Sequence, residues 1–332
     1  MNILLYCPFK FSLKSRNLKM LGGIETLNLE LSKELAIDGY KIFLATYCNK
    51  KINVNNIENI PINKIFNKSE NYKFDIIISS NNSQIFDFYK SAKKIFWMHN
   101  TLSIEKAIRK KKIISLIKNK ITVVFVSKYL KNITSNFFLF NKKKIIYNFL
   151  SNYFTNQKKQ FIRKKIFVWS VQRNKGLSDT LNMWINKVYI KDKNAKLLVF
   201  GIDKNKVKKI TYFKKFNIYF MGRVSKNYLK NVYSKSLGMI CLGYDETFCL
   251  NALEANACGL PVLTFGKTAL KEFSIDKYNS YVVNDFDSLS DRILNMCKST
   301  TNKVIINNSY KHSKKFNIKL IKQQWIKLIN SV

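Results

Sequence analysis

The chain of 332 residues contains only 10 Gly, 3 Pro, 2 His and 6 Arg. The two histidines, His99 and His312, are too few and too far apart for a His-built metal centre. The six cysteines (positions 7, 48, 241, 249, 258 and 297) form no C-x-x-C pair and no metal spacing. With no export signal ahead of them they read as reduced, buried thiols rather than a disulfide framework, and no metal is expected. No apolar run approaches the roughly 20 residues of a membrane span. Residues 2–9 lack a basic leader and a small-residue cleavage site, so they read as a first strand rather than a signal peptide. With glycine this scarce, each one present points to a place where the backbone needs it.

Acidic side chains are also few: 20 Asp and Glu stand against 59 Lys and Arg, a net charge of +39. Such a charge suits a polyanion, either nucleic acid or an anionic membrane. It also follows from a compositional bias in which Lys, Ile, Asn and Phe are abundant together, as AT-rich codons produce. The charge is spread along the whole chain, whereas nucleic-acid binders cluster it, and no nucleic-acid motif is present; nucleic acid is not expected as a partner. Where Lys is the default cation, an Arg marks a place that needs a planar fork. Arg173 and Arg223 both follow predicted strands.

What the chain does have is alternation. Strand-like runs at 2–8, 41–47, 74–79, 94–98, 121–126 and 144–148 are followed, after a Lys/Gln-rich stretch at 156–165, by runs at 166–170, 195–201, 217–221, 237–242 and 261–265. Helical segments lie between them, which predicts an α/β protein with parallel sheets covered on both faces. The length suggests two domains, placed at 1–150 and 151–316, with a final helix at 317–332 that packs back on the first. Ile24, Leu27, Leu31 and Leu35 share one helical stripe, and so do Ile318, Ile321, Trp325, Leu328 and Ile329. The segment 104–121 changes phase at Arg109-Lys-Lys-Lys112, which predicts a break there or a basic surface ridge; a solvated face and a membrane-surface patch are both open readings.

Three strand–loop–helix junctions carry the functional signal. Gly22-Gly23 opens a helix after the first strand, where backbone N–H groups could approach a phosphate. Arg173-Asn-Lys175-Gly176 follows the strand 166–170, placing two cations and a glycine where a diphosphate would fit. The run from Glu246 to Glu254 joins a loop carboxylate, a helix start at Phe248, Cys249 and Leu250, a helix carboxylate, and a stop at Gly259-Leu-Pro261-Val. On one continuous helix the two carboxylates would be about 80° apart and about 12 Å along the axis. A loop position for Glu246 lets both reach one extended ligand. Carboxylates are poor phosphate partners, so they should hold hydroxyls; a nucleotide sugar offers hydroxyls at both ends and a diphosphate between. On spacing alone these junctions also read as a turn, a basic loop and an ordinary capped helix.

Gly22-Gly23-Ile24-Glu25, Arg173-x-Lys175-Gly176, Phe220-Met-Gly222-Arg223 and the paired-glutamate run ending in Ala-Cys-Gly-Leu-Pro-Val together resemble glycosyltransferase family 4 over nearly the whole chain. The resemblance implies a GT-B fold, two Rossmann-like doubly wound domains facing a central cleft, and a retaining, metal-independent transfer from a nucleotide-diphosphate sugar, with no other cofactor. By the same resemblance Glu254 would bind the donor ribose and Glu246 the transferred sugar. Lys175 with Arg173 would neutralise the diphosphate, Gly23 would approach the same phosphates, and Gly222-Arg223 would lie beside the base. His99, in Trp97-Met-His99-Asn100, matches a first-domain histidine near the sugar; by itself it reads as structural. Two positions depart from the pattern: Cys249 stands where the family usually has glycine, and Trp169-Ser170 where it has Gly-Arg. The implied role is cell-surface polysaccharide synthesis on a glycan or lipid-linked acceptor, in the cytoplasm or peripherally on the inner face of the cytoplasmic membrane, with an anionic membrane surface as a further partner. A nucleotide-sugar epimerase of GT-B fold is the alternative.

Overall fold

Ile3-Leu4-Leu5 and Ile76-Ile77-Ile78 are apolar at every position rather than at alternate ones, and both runs are wholly buried. A strand of that kind has helices against both of its faces, the environment of a parallel sheet. The computed structural model describes residues 1–14, 18, 20–155, 158–172, 175–299 and 302–332, and the chain divides into two units. One comprises Met1–Ser151 with Ile318–Val332; the other comprises Asn152–Asn317.

The first unit contains β1 (Asn2–Tyr6), β2 (Lys41–Thr46), β3 (Ile52–Val54), β4 (Ile57–Pro61), β5 (Ile76–Ser80), β6 (Lys93–Met98), β7 (Ile121–Phe125) and β8 (Lys142–Ile145). They form one sheet in the order β3-β4-β2-β1-β5-β6-β7-β8, parallel except for the β3–β4 pair. The second unit contains β9 (Lys164–Trp169), β10 (Lys196–Phe200), β11 (Ile218–Gly222), β12 (Ser236–Ile240), β13 (Val262–Thr264) and β14 (Ser280–Val282). Their order is β11-β10-β9-β12-β13-β14, all parallel.

Strand order reverses between β1 and β5 in one unit and between β9 and β12 in the other. Successive crossovers leave such a point in opposite directions, which opens a crevice at the carboxyl ends of the two strands. The fold thereby selects the loops after β9 and β12, which contain Lys175 and Glu246, and the loops after β1 and β5.

The last helix, Ile318–Ser331, belongs to the first unit. Ile318, Ile321, Trp325, Leu328 and Ile329 are all buried, and the Trp325 ring meets Trp97 edge-on at 4.8 Å. Each buried side chain of this size contributes about 1.5–3 kcal/mol. Lys322 pairs with Glu34 on the helix Gly23–Ile37 at 3.2 Å and with Asp38, the residue that caps its C-terminus, at 3.0 Å. On that helix Leu27, Leu31 and Leu35 are buried while Ile24 is only half-buried.

Three strands escaped the periodicity. β3 and β4 form a hairpin closed by Asn55 and Asn56, whose φ values of 46° and 61° are the left-handed pair that a two-residue hairpin turn requires. Their Asn-rich alternation of polar and apolar residues reads as loop. β14 is three residues, Ser-Tyr-Val, too short to show a period. In the 104–121 segment there is a break: helices Ile104–Arg109 and Ile113–Lys118 are separated at Lys111, φ 52°.

Candidate active site

In the second unit β9 ends at Trp169, and the chain reaches Gly176, the residue before the helix Leu177–Met183. Gly176 has φ 94°, and a Cβ there would lie 2.6 Å from a Leu242 methyl and 2.9 Å from the Tyr244 ring. Glycine is therefore required on both backbone and packing grounds. This close approach holds Lys175 against the loop after β12. Its Nζ lies 2.9 Å from Glu246 Oε1 and donates to the Asp245 carbonyl at 3.0 Å. Arg173 lies outside the described residues.

Glu246 occupies that loop, four residues ahead of the helix Leu250–Ala257. It is only 7% exposed. Burial pushes its carboxyl upward, and Lys175 opposes the shift by favouring the carboxylate. Glu254, 3% exposed, projects from the middle of the helix. One of its oxygens is 2.7 Å from Nζ of Lys226, the first residue of the helix Lys226–Lys235. That ammonium also lies 5.5 Å from the centre of the Phe154 ring. Both glutamates of the motif are thus held by a lysine from another part of the chain, half-buried Lys175 for Glu246 and buried Lys226 for Glu254.

The helix begins at Leu250, not at Phe248. Phe248 turns inward, its ring 4.5 Å from Phe273 and 6.1 Å from Phe316, so its side chain belongs to an aromatic cluster rather than to a ligand surface. Cys249 is the N-cap, with φ 67° and ψ 71°. That left-handed conformation is why glycine is usual here: a β-carbon in it costs about 1–2 kcal/mol. Cys249 Sγ lies 3.4 Å from Cys241 Sγ, and this contact, then burial, hold its thiol well above the ordinary range. Where the family has Gly-Arg, Asn251 donates to the Ser170 carbonyl and the Ser170 hydroxyl lies 2.5 Å from that of Tyr233, tying the helix start to the end of β9. Gly222, φ 74°, ends β11, and Arg223 after it is exposed.

In the first unit Gly22 is the N-cap and Gly23 the first residue of the helix that follows β1. A Cβ on Gly22 would meet a Glu25 carboxylate oxygen at 2.6 Å, so the glutamate folds back beside the glycine. His99 follows β6 directly and is buried, its ring 4.6 Å from Trp97. Burial lowers its pKa to about 3. The backbone N–H groups of His99 and Asn100 donate to Asn81 Oδ1 at 2.8 and 3.2 Å, and Lys112 donates to the Asn81 carbonyl at 2.7 Å. Burial and the neighbouring Lys110 and Lys106 push Lys112 down to about 8.

The structure thus brings Lys175 to Glu246 and Glu246 to Cys249 at the second unit's switch point, with Leu250 starting the adjoining helix and Glu254 further along it against Lys226. It places Gly22, Gly23 and His99 at strand ends of the first. Sequence reasoning missed Lys226, 28 positions from its partner Glu254, and the Asn81–Lys112 contact; nothing in local spacing joins either pair. Cavity size does not locate the chemistry: a cavity of about 640 Å³ lies at the amino-terminal edge of the first sheet, lined by Lys90, Lys93, Lys94, Lys118, Lys120 and Lys142.

Residues 154–312 match the family described as Glycosyl transferases group 1. Sucrose-phosphate synthase from Thermosynechococcus elongatus superimposes with a TM-score of 0.73 at 16% identity, covering 99% of this chain and 98% of that one. WaaG, a glycosyltransferase involved in lipopolysaccharide biosynthesis, gives 0.73 at 12% identity over 98% and 99%. HepE of Anabaena, solved with UDP and glucose, gives 0.70 at 14% identity over 99% of each chain. No curated protein matches the sequence. The likeness to glycosyl transferases group 1 thus lies in residues 154–312, within the second unit, while the chain as a whole has the GT-B fold of two Rossmann-like units.

Proposed function

We propose that this chain is a family 4 retaining hexosyltransferase that moves a sugar from a nucleotide-diphosphate donor to a glycan or lipid-linked acceptor in cell-surface polysaccharide synthesis, without a metal. The observation that carries the reading is the Lys175–Glu246 pair at the β9/β12 switch point. A cation and a hydroxyl-binding carboxylate meet there, beside the start of the helix Leu250–Ala257.

In this mechanism the bond from the sugar's anomeric carbon to the diphosphate breaks with oxocarbenium character. Lys175 and the first-turn N–H groups of the helix stabilise the charge that develops on the leaving oxygen. The acceptor hydroxyl attacks from the same face, and the departing phosphate takes its proton. Glu246 holds hydroxyls of the transferred sugar. Glu254, braced by Lys226, holds the ribose. HepE was solved with UDP and glucose, which supports a uridine donor as the first to try. An epimerase would need an acid and a base at the sugar. His99, with its pKa near 3, is neutral at ordinary pH and is no proton donor there, which favours transfer.

The test is a panel of nucleotide sugars, with and without acceptor oligosaccharides or lipid-linked sugars, read by NMR at the new anomeric centre. Acceptor-dependent product with the donor's configuration supports the proposal. Epimerised donor without acceptor, or inverted product, refutes it. The basic helices Ile104–Arg109 and Ile113–Lys118 expose Ile108, Ile114 and Ile117 beside Arg109, Lys110 and Lys111, which supports work on the cytoplasmic face of an anionic membrane. No flotation with anionic vesicles at low salt would remove that part.

A further inference from the structure

The loop that presents Glu246 is bounded by two thiols. Cys241 directly follows β12, and Cys249 caps the helix Leu250–Ala257. Their sulfurs are 3.4 Å apart. A Glu246 carboxylate oxygen completes a triangle with them, all three atoms lying within 4.8 Å of one another. Cys241, Glu246 and Cys249 are buried, at 1%, 7% and 9% exposure. The Cys249 thiol is held there at a backbone cost, since its left-handed φ of 67° is one that glycine would adopt freely.

We propose that Cys241, Cys249 and Glu246 form a binding site for a thiophilic divalent cation of the zinc class, and that its occupancy switches off the donor site. Two thiolates and a carboxylate are a borderline-soft donor set, unsuited to magnesium or calcium. In a tetrahedral site with metal–sulfur bonds of about 2.3 Å and metal–oxygen bonds of about 2.1 Å, sulfurs stand about 3.8 Å apart and sulfur and oxygen about 3.5 Å. The triangle seen here reaches those spacings by small side-chain rotations. Three protein ligands leave the fourth position for water. On binding, each thiol releases its proton to solvent and forms a metal–sulfur bond. The carboxylate exchanges Lys175, now 2.9 Å away, for the ion. The complex carries one net negative charge, which the displaced Lys175 can offset. Glu246 and Lys175 keep 9% and 13% of their side-chain surface, and this is the face by which an ion enters.

The consequence for activity rests on the proposed function. A metal-bound Glu246 cannot hold sugar hydroxyls, and Lys175 loses the partner that positions it. The ion is therefore an inhibitor of this site and not a participant in the transfer.

The experiment uses the full chain, reduced and stripped with chelator. Co²⁺ is added while sulfur-to-cobalt charge-transfer absorption is followed, then Zn²⁺ is added to displace it. One equivalent of cobalt is expected to saturate the band. Cys241→Ser and Cys249→Gly should weaken binding by more than the roughly 10–100-fold that loss of an outer-shell partner costs. Cys249→Gly is free of backbone strain at this position, so it keeps the test valid if Cys241→Ser fails to fold. In parallel, UDP binding to the wild type is measured by calorimetry with and without one equivalent of Zn²⁺. Zinc should lower the affinity at least tenfold, reversibly with chelator, and should leave Cys249→Gly unaffected. No charge-transfer band, or one unchanged in Cys249→Gly, overturns the metal site. A band without any effect on UDP binding overturns the switch. If no nucleoside diphosphate binds the metal-free protein while the band appears and depends on both thiols, the metal site stands and the donor reading fails.

Discussion

Replacing Lys226 with Met keeps most of the side-chain volume and removes the ammonium that faces Glu254. The pair is 2.7 Å apart, with 11% and 4% of the two side chains exposed, so neither charge can be rehydrated in place. Breaking such a pair costs about 3–5 kcal/mol, because the remaining charge stays buried without a partner. The same substitution in a solvent-exposed pair costs about 1 kcal/mol or less. Replacing both residues with Met removes both charges and should return stability to within about 1 kcal/mol of the parent, since buried pairs exchange for apolar side chains at little net cost. Trp169 and Trp184 report on the second unit, and Trp97 and Trp325 on the first. Urea unfolding is therefore best followed by tryptophan fluorescence in a Trp97→Phe/Trp325→Phe background. With a slope of about 1–3 kcal/mol per molar urea, the Lys226→Met midpoint should fall by 1 M or more. A loss below about 1 kcal/mol, or a double variant no better than the single one, refutes the view of Glu254 as a carboxylate held in place by Lys226.

Lys175→Ala should lower turnover by roughly 10²–10³ with a natural donor, the scale for losing one group that stabilises a developing oxyanion; unchanged turnover removes Lys175 from the mechanism. Gly176→Ala forces a β-carbon into a left-handed conformation and onto Leu242 and Tyr244, so the second unit should lose more than about 2 kcal/mol in the same unfolding assay; a smaller loss means the loops are not held by this contact. His99 has a folded pKa of about 3 against 6.5 when unfolded. Stability is whole above 6.5 and falls as pH drops toward 3, because only the unfolded chain takes the proton. The slope approaches about 1.4 kcal/mol per pH unit below 6.5, so the first unit should lose about 2 kcal/mol between pH 8 and 5 through this group. His99→Phe should remove that share, and identical pH slopes for the two proteins would contradict a buried, neutral imidazole.

Much of the architecture was legible because it depends on local repetition. Runs such as Ile121-Thr-Val-Val-Phe are strands wherever they fall, and their alternation with helical stripes implies parallel sheets. The Asn-rich hairpin β3–β4 was not legible, since a polar alternation is stabilised by its neighbour in the sheet and not by its own composition. At the site, the glycine-bearing junctions and the two glutamates were visible as residue types at strand and helix ends. The start of the helix at Leu250 was not, because it depends on Phe248 being drawn into the cluster with Phe273 and Phe316.

The sequence by itself determined an α/β chain with parallel sheets, and which short segments could approach a phosphate or a hydroxyl. Only the tertiary structure decided where the strand order reverses, and hence which loops meet. It alone brought Lys226 to Glu254, Lys175 to Glu246 and the Cys241 thiol to that of Cys249. Pairing of charges and thiols depends on distance in space, which crossovers between parallel strands uncouple from separation along the chain.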